Sequence, residues 1–346
     1  MIRVENLHKS FGNKHVLRGL TFSVKRGEVY GLLGPNGAGK TTTINILCNL
    51  LHADEGKITI EGKTISESTR YLVGVVPQET AIYKDLTCTE NLSFFASIYG
   101  VTGVQKTRRI RALLKMFNLD EYADTEVRRL SGGWQRRANI VVALVHSPVV
   151  LILDEPTLGL DLEARYELWK LIETLRDSGV TILLTTHQLD EAEKLCSRIG
   201  IMQEGRIAAE GSLRQLRELV PAKQLATIET TDKEAVIRRA LSLGWAYRCY
   251  GGQLTLCLPQ EFTLKSFVDR FEGLAISSVA LHQVGLEHVY LEVTRHRDQT
   301  VPDPSDARSV PCPRGSGSGP GRGASSHLRT EPSARPGRRA SGTSRR

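Results

Sequence analysis

One eight-residue stretch constrains this chain more than any other. Gly34-Pro35-Asn36-Gly37-Ala38-Gly39-Lys40-Thr41 fits the spacing G-x-x-x-x-G-K-[ST]. It comes after an apolar run, Val29 to Leu33, and precedes a predicted helix from Thr42 to Leu51, so it has the strand–loop–helix context that the motif requires. Glycines let the backbone curl until successive N–H groups converge. The helix N-terminus adds about half a positive charge at the same place. Lys40 supplies a full charge for β- and γ-phosphates, and the Thr41 hydroxyl suits Mg²⁺. The implied ligand is a nucleoside triphosphate with Mg²⁺, held by an α/β fold.

The flanking sequence supports that fold. Val149 to Leu153 and Val180 to Leu184 are continuous apolar runs of the kind buried on both faces of a sheet. Between them, Leu162 to Arg176 has helical spacing and ends near Gly179. Strand, helix, strand in this order implies a right-handed crossover and a parallel sheet. The run Val149 to Leu153 leads into Asp154-Glu155-Pro156, which places two carboxylates at the sheet edge where open α/β sheets bind nucleotides. Asp154 is expected to hold the metal, directly or through water. Glu155 is expected to reach the water that attacks the γ-phosphate.

Charge, apolar runs and cysteines narrow the class. The net charge is +8, but residues 301–346 hold nine arginines and three acids, a local +6, so residues 1–300 carry only +2. The basic balance therefore says little about the folded part; the basic tail is the only feature favouring nucleic acid, and no specific nucleic acid is expected. No run of 18 apolar residues exists; the nearest, Ala138 to Leu153, is broken by His146, Ser147 and Pro148. Met1 to Ser10 has no apolar segment of the secretory type. Six scattered cysteines without a C-x-x-C pair suggest a reduced, cytosolic protein.

Three regions are expected. Residues 1–220 carry the nucleotide motifs. Residues 222–296 read as a small α+β accessory domain. In it, Leu225 to Thr230 is strand-like, Asp232 to Ser242 is a helix with an Asp N-cap, and Tyr247 to Tyr250 and Gln253 to Leu258 flank a Gly251-Gly252 hairpin signal. Thr263 to Phe271 reads as helical and Ala275 to Leu281 as extended. Residues 298–346 hold seven of the 13 prolines and repeated Gly-Ser, which predicts a disordered tail.

Further motifs resemble one family, the ATP-binding cassette ATPases. Leu130-Ser131-Gly132-Gly133 resembles its signature motif, Val76-Pro77-Gln78 its Q-loop, Gly159-Leu160-Asp161 its D-loop, and Thr185-Thr186-His187 its switch histidine. Phe11 lies where the family places an aromatic on adenine. The resemblance covers about 220 residues and implies a P-loop NTPase fold, with a RecA-like core, a β-subdomain and a helical signature subdomain. It implies that two cassettes, identical or related, pack head to tail. Each ATP then lies between Gly34 to Thr42 of one chain and Ser131, Gly132 and Gly133 of the other, with Asp161 at the dimer seam. It also implies that His187 contacts the γ-phosphate and holds the attacking water with Glu155, and that Gln78 approaches Mg²⁺. One position departs: Trp134 stands where many members have Gln, and Gln135 comes directly after it. The departure alters the surface beside the site and leaves Ser131, Gly132 and Gly133 intact.

Tyr83-Lys84-Asp85-Leu86-Thr87, Glu90-Asn91-Leu92, Glu191-Ala192-Glu193 and the segment Gly285 to Leu291 resemble the drug, lipid or polysaccharide exporter branch. That implies a separate integral-membrane permease, docked near Gln78 to Leu86, and a peripheral position on the cytoplasmic face of the membrane. The alternative reading is a soluble cassette ATPase acting on a ribosome, nucleic acid or protein complex.

Overall fold

Val29–Leu33 is buried along its whole length and lies inside a six-stranded sheet. The order across the sheet is Arg206–Gly211, Arg198–Gln203, Val29–Leu33, Thr181–Thr186, Val150–Asp154, Val73–Val76. The last five strands run parallel, and Arg206–Gly211 is an antiparallel edge. The computed structural model describes residues 1–250 and 252–294, so the tail expected at 298–346 lies outside the described residues.

Both faces of the central strands are covered, which explains their uninterrupted apolar sequences. On one face Leu151, Leu153, Ile182 and Leu184 join a core with the helices Cys88–Ile98, Gly103–Met116, Gly132–Ala143 and Leu162–Asp177. On the other, Tyr30, Leu32, Ile152 and Leu183 meet the Lys40–Leu47 helix and an antiparallel sheet of Lys14–Val24, Ile2–Phe11, Glu55–Ile60 and Lys63–Thr64. Phe22 stacks on Tyr30 with ring centroids 5.3 Å apart, joining the two sheets.

A third, antiparallel sheet has the order Ala246–Tyr250, Gln253–Leu258, Gln224–Thr230, Ile276–Gln283. The Lys233–Ser242 helix beside it is capped by Asp232, whose carboxylate accepts from Ala235 N at 2.9 Å. Trp245, Phe267 and Phe271 fill the space under the sheet. A separate apolar cluster of Leu33, Ile199, Leu216, Leu225, Cys257, Leu286 and Val289 joins this sheet to the central one.

Two helices begin earlier than their sequence suggests. The loop helix spans Lys40–Leu47 rather than Thr42 to Leu51, because Gly39 takes up a left-handed turn at its N-cap and Cys48 ends it. In the signature segment, Ser131 as an N-cap followed by two small glycines predicts a helix starting near Trp134; the helix begins at Gly132, since Gly132 and Gly133 are accommodated in its first turn.

Candidate active site

Register brings the motifs to one edge. Leu33 pairs with Thr186, Asp154 with Thr185, and Val76 with Leu153. The four strands therefore end level, and their succeeding residues lie side by side: Gly34, His187, Glu155, then Pro77 and Gln78. Nothing in the sequence alone gives this lateral order.

The phosphate-type loop is tightly built. Gly39 has φ +107°, and a Cβ there would stand 2.7 Å from Leu17 Cδ2. A Cβ on Gly34 would meet the Met202 carbonyl at 2.5 Å. Both positions therefore need glycine. Lys40 is buried, and its Nζ donates to the carbonyls of Gly34 at 2.7 Å and Pro35 at 3.3 Å. Burial lowers its pKa, while the nearby Glu155 carboxylate raises it in part. Thr41 is exposed at the helix start, and Thr42 is half-buried in the first turn.

Glu155 is where the charges meet. One carboxylate oxygen lies 3.6 Å from Lys40 Nζ, and the other lies 2.6 Å from His187 Nδ1. The residue is buried and holds φ +47°, a left-handed conformation costing about 1–3 kcal/mol in a non-glycine residue. Its N–H donates to Thr185 O at 3.0 Å. Asp154, also buried, accepts the Thr185 hydroxyl at 2.5 Å. This is an acid between a cation and an imidazole, beside a second acid with a different partner. Such a site can grip anionic phosphate and hold a water for deprotonation.

The remaining candidates take different places. Phe11 ends its strand half-exposed, with Lys9 Nζ 5.6 Å from its ring centroid. Gln78 is exposed. Asp161 caps the Leu162–Asp177 helix by accepting from Ala164 N at 2.8 Å. Ser131 occupies the N-cap of Gly132–Ala143, but its hydroxyl makes no capping bond and stays exposed with Gly132. A capping role inferred from the residue type is thus not used. The Ser131 helix end faces outward and is not among the groups gathered around Glu155.

A family model described as ABC transporter matches residues 17–158. The chain is 45% identical over 298 residues to a Nod factor export ATP-binding protein I of Burkholderia lata, covering 85% of this chain and 96% of that relative. It is 42% identical over 219 residues to the linearmycin resistance ATP-binding protein LnrL of Bacillus subtilis, covering 62% and 70%. The chain belongs to the ABC transporter family as an ATP-binding subunit. Solved cassettes agree. A structure of an ATP-binding subunit of an ABC transporter has a TM-score of 0.58 at 34% identity, over 63% of this chain and 92% of that one. A dimeric post-hydrolysis state of the cassette MJ0796, bound to ADP and Pi, has 0.56 at 27%, over 61% and 98%. This ABC subunit is an ATPase, and the resemblance seen in its motifs holds.

The cassette also contains a residue that sequence reasoning passes over. Arg136, in the signature helix, is buried and donates to the carbonyls of Pro156 (2.8 Å), Asp154 (2.8 Å), Glu155 (3.0 Å), Pro77 (2.5 Å) and Gln78 (3.2 Å). Desolvation pushes its pKa down to about 10. In the sequence it is one of two adjacent arginines, and only distant carbonyls distinguish it. Its neighbour Arg137 pairs with Glu167 and lies over the Trp134 ring at 4.2 Å. Trp134 also contacts Tyr122, with ring centroids 4.6 Å apart. The residue that departs from the family pattern is therefore packed within its own helical layer.

Proposed function

We propose that two of these cassettes close head to tail on two ATP molecules and drive a separate integral-membrane permease, in the direction of export. The observation that carries this reading is the Lys40–Glu155–His187 cluster at the level ends of three neighbouring parallel strands. Gly34 to Thr42 hold the phosphates through backbone N–H groups and Lys40, Phe11 stacks on the base, Glu155 is the general base, and His187 steadies the attacking water. The outward Ser131, Gly132 and Gly133 serve the partner's ATP, and Asp161 lies at the seam. The free Ser131 hydroxyl supports this, since a capping serine would be occupied.

The residues fit Mg²⁺. Thr41, Asp154 and Gln78 offer oxygen donors only, and the described residues contain no cluster of three or more His, Cys, Asp or Glu able to cage a metal. When bound, the metal neutralises charge on the phosphates.

Support for a permease comes from the exporter and resistance relatives and from a groove. Val75, Ala81, Ile82, Phe95, Tyr99 and Val142 line a cavity of about 120 Å³ beside the Gln78 to Leu86 segment. Next to it, exposed Tyr83 and Phe94 meet edge to face at 5.0 Å. No helix of the described residues is long and apolar enough to cross a membrane. The proposed pore lies on another polypeptide and this subunit at the cytoplasmic membrane face, in keeping with relatives named as ATP-binding proteins for export and resistance. In this reading residues 1–220 form the cassette and 222–296 an accessory domain. The alternative, a ribosome- or nucleic-acid-directed ATPase, gains no support from the relatives named above.

Size-exclusion chromatography of Glu155→Gln tests the assembly. ATP should convert it to a dimer, and Ser131→Arg in the same background should prevent that. A species that stays monomeric with saturating ATP would overturn the sandwich.

A further inference from the structure

The cassette has a second tie beneath the Glu155–His187 contact. Glu191 is completely buried, four residues after His187 on the short helix Leu189–Leu195. Its Oε1 accepts the Thr157 hydroxyl at 2.8 Å and the Trp169 indole N–H at 3.4 Å. Thr157, itself fully buried, lies two residues after Glu155, and Trp169 belongs to the helix that Asp161 caps. One carboxyl thus joins the turn carrying Glu155, the segment carrying His187 and the Asp161 helix. Burial pushes this carboxyl up, and the hydrogen bonds from Thr157 and Trp169 oppose that.

Such a link has a specific use here. Glu155 sits in a left-handed backbone conformation that relaxes unless its surroundings hold it. Arg136 fixes the carbonyls of Asp154, Glu155 and Pro156 from the signature side. Two residues after Glu155, the Thr157 hydroxyl is held by Glu191.

We infer that Glu191 is a positioning residue for ATP hydrolysis. By binding the Thr157 hydroxyl it sets the approach of Glu155 to His187, without itself touching nucleotide. The inference rests on Glu155 being the general base. Its chemistry needs an acceptor at Oε1 and not a charge, so glutamine in the orientation that keeps its carbonyl toward Thr157 preserves the link.

Steady-state ATPase measurements on the full chain test this. Glu191→Ala should lower kcat about tenfold or more and leave KM for ATP within about twofold, because a misplaced base affects the chemical step rather than phosphate binding. Glu191→Gln should restore most of kcat. Thr157→Val removes the same bond from the other end in a side chain of equal shape, and should lower kcat in the same way even if Glu191→Ala does not fold. Wild-type kcat in Thr157→Val, or a Glu191→Gln loss as deep as the alanine loss, would overturn the inference. If Glu155→Gln itself hydrolyses ATP normally, the underlying reading of Glu155 fails instead.

Discussion

His187 Nδ1 and Glu155 Oε2 stand 2.6 Å apart at the ends of adjoining segments of one sheet edge. A carboxylate accepts, so this nitrogen donates. In the neutral ring the other nitrogen, Nε2, then carries the lone pair. The contact orients Glu155 while leaving its second oxygen near Lys40.

Glu155→Gln should keep ATP binding and lower turnover about 10²-fold or more, the scale of losing a general base. Fluorescent-nucleotide titration alongside a phosphate-release assay measures both. Turnover near the wild-type value would remove Glu155 from this role.

Lys40→Ala should weaken ATP affinity about tenfold to a hundredfold, the range expected for a charge-assisted bond to phosphate. Isothermal titration calorimetry reads it directly. Unchanged affinity would show that the loop's N–H groups suffice alone.

Asn91 is fully buried, accepts from Tyr83 N at 2.9 Å, and donates to the Tyr83 and Thr87 carbonyls at 2.9 and 3.0 Å. Asn91→Ala leaves those main-chain groups without their partner and should cost about 2 kcal/mol of stability. Urea unfolding at unchanged m-value checks this. Amide exchange should rise at Tyr83 and leave the Val29–Leu33 strand protected.

Burial raises the Cys88 thiol from its ordinary value of 9 to about 11. The folded value exceeds the unfolded one, so the neutral thiol's contribution to stability is complete below about pH 9. It is lost as pH climbs toward 11. At pH 8 iodoacetamide should label Cys88 far more slowly in native protein than in urea, as mass spectrometry of the peptides would show. Equal rates would mean that the Cys88–Ile98 helix opens readily.

The central sheet is legible in the sequence because its strands are apolar throughout. Val29 to Leu33 and Gln253 to Leu258 match the observed strands to the residue. Val149 to Leu153 and Val180 to Leu184 start one residue before the strands do, because an apolar pattern does not mark where pairing begins. The N-terminal antiparallel strands are not readable from their residues. Ile2–Phe11 breaks alternation at a bulge between Val4 and Leu7, where Asn6 takes φ +48°, so period-two patterning fails just where it is needed. The closing helix Leu286–Thr294 is likewise not assigned from spacing. Within the site, residue types and spacing name Lys40, Asp154 and Glu155. Arg136 and Glu191 escape because their partners are carbonyls and hydroxyls far away in sequence, which leave no local pattern.

Arg136 gives this subunit an unusual mechanical economy. Five carbonyl oxygens on two separate loops converge on one guanidinium carried by the very helix whose tip is offered outward. In the proposed dimer, the half-site offered to a neighbour and the half-site kept at home would thereby be bolted to a common pin. In that arrangement a displacement of either one would bear on the other through a single side chain, without any long relay through the protein.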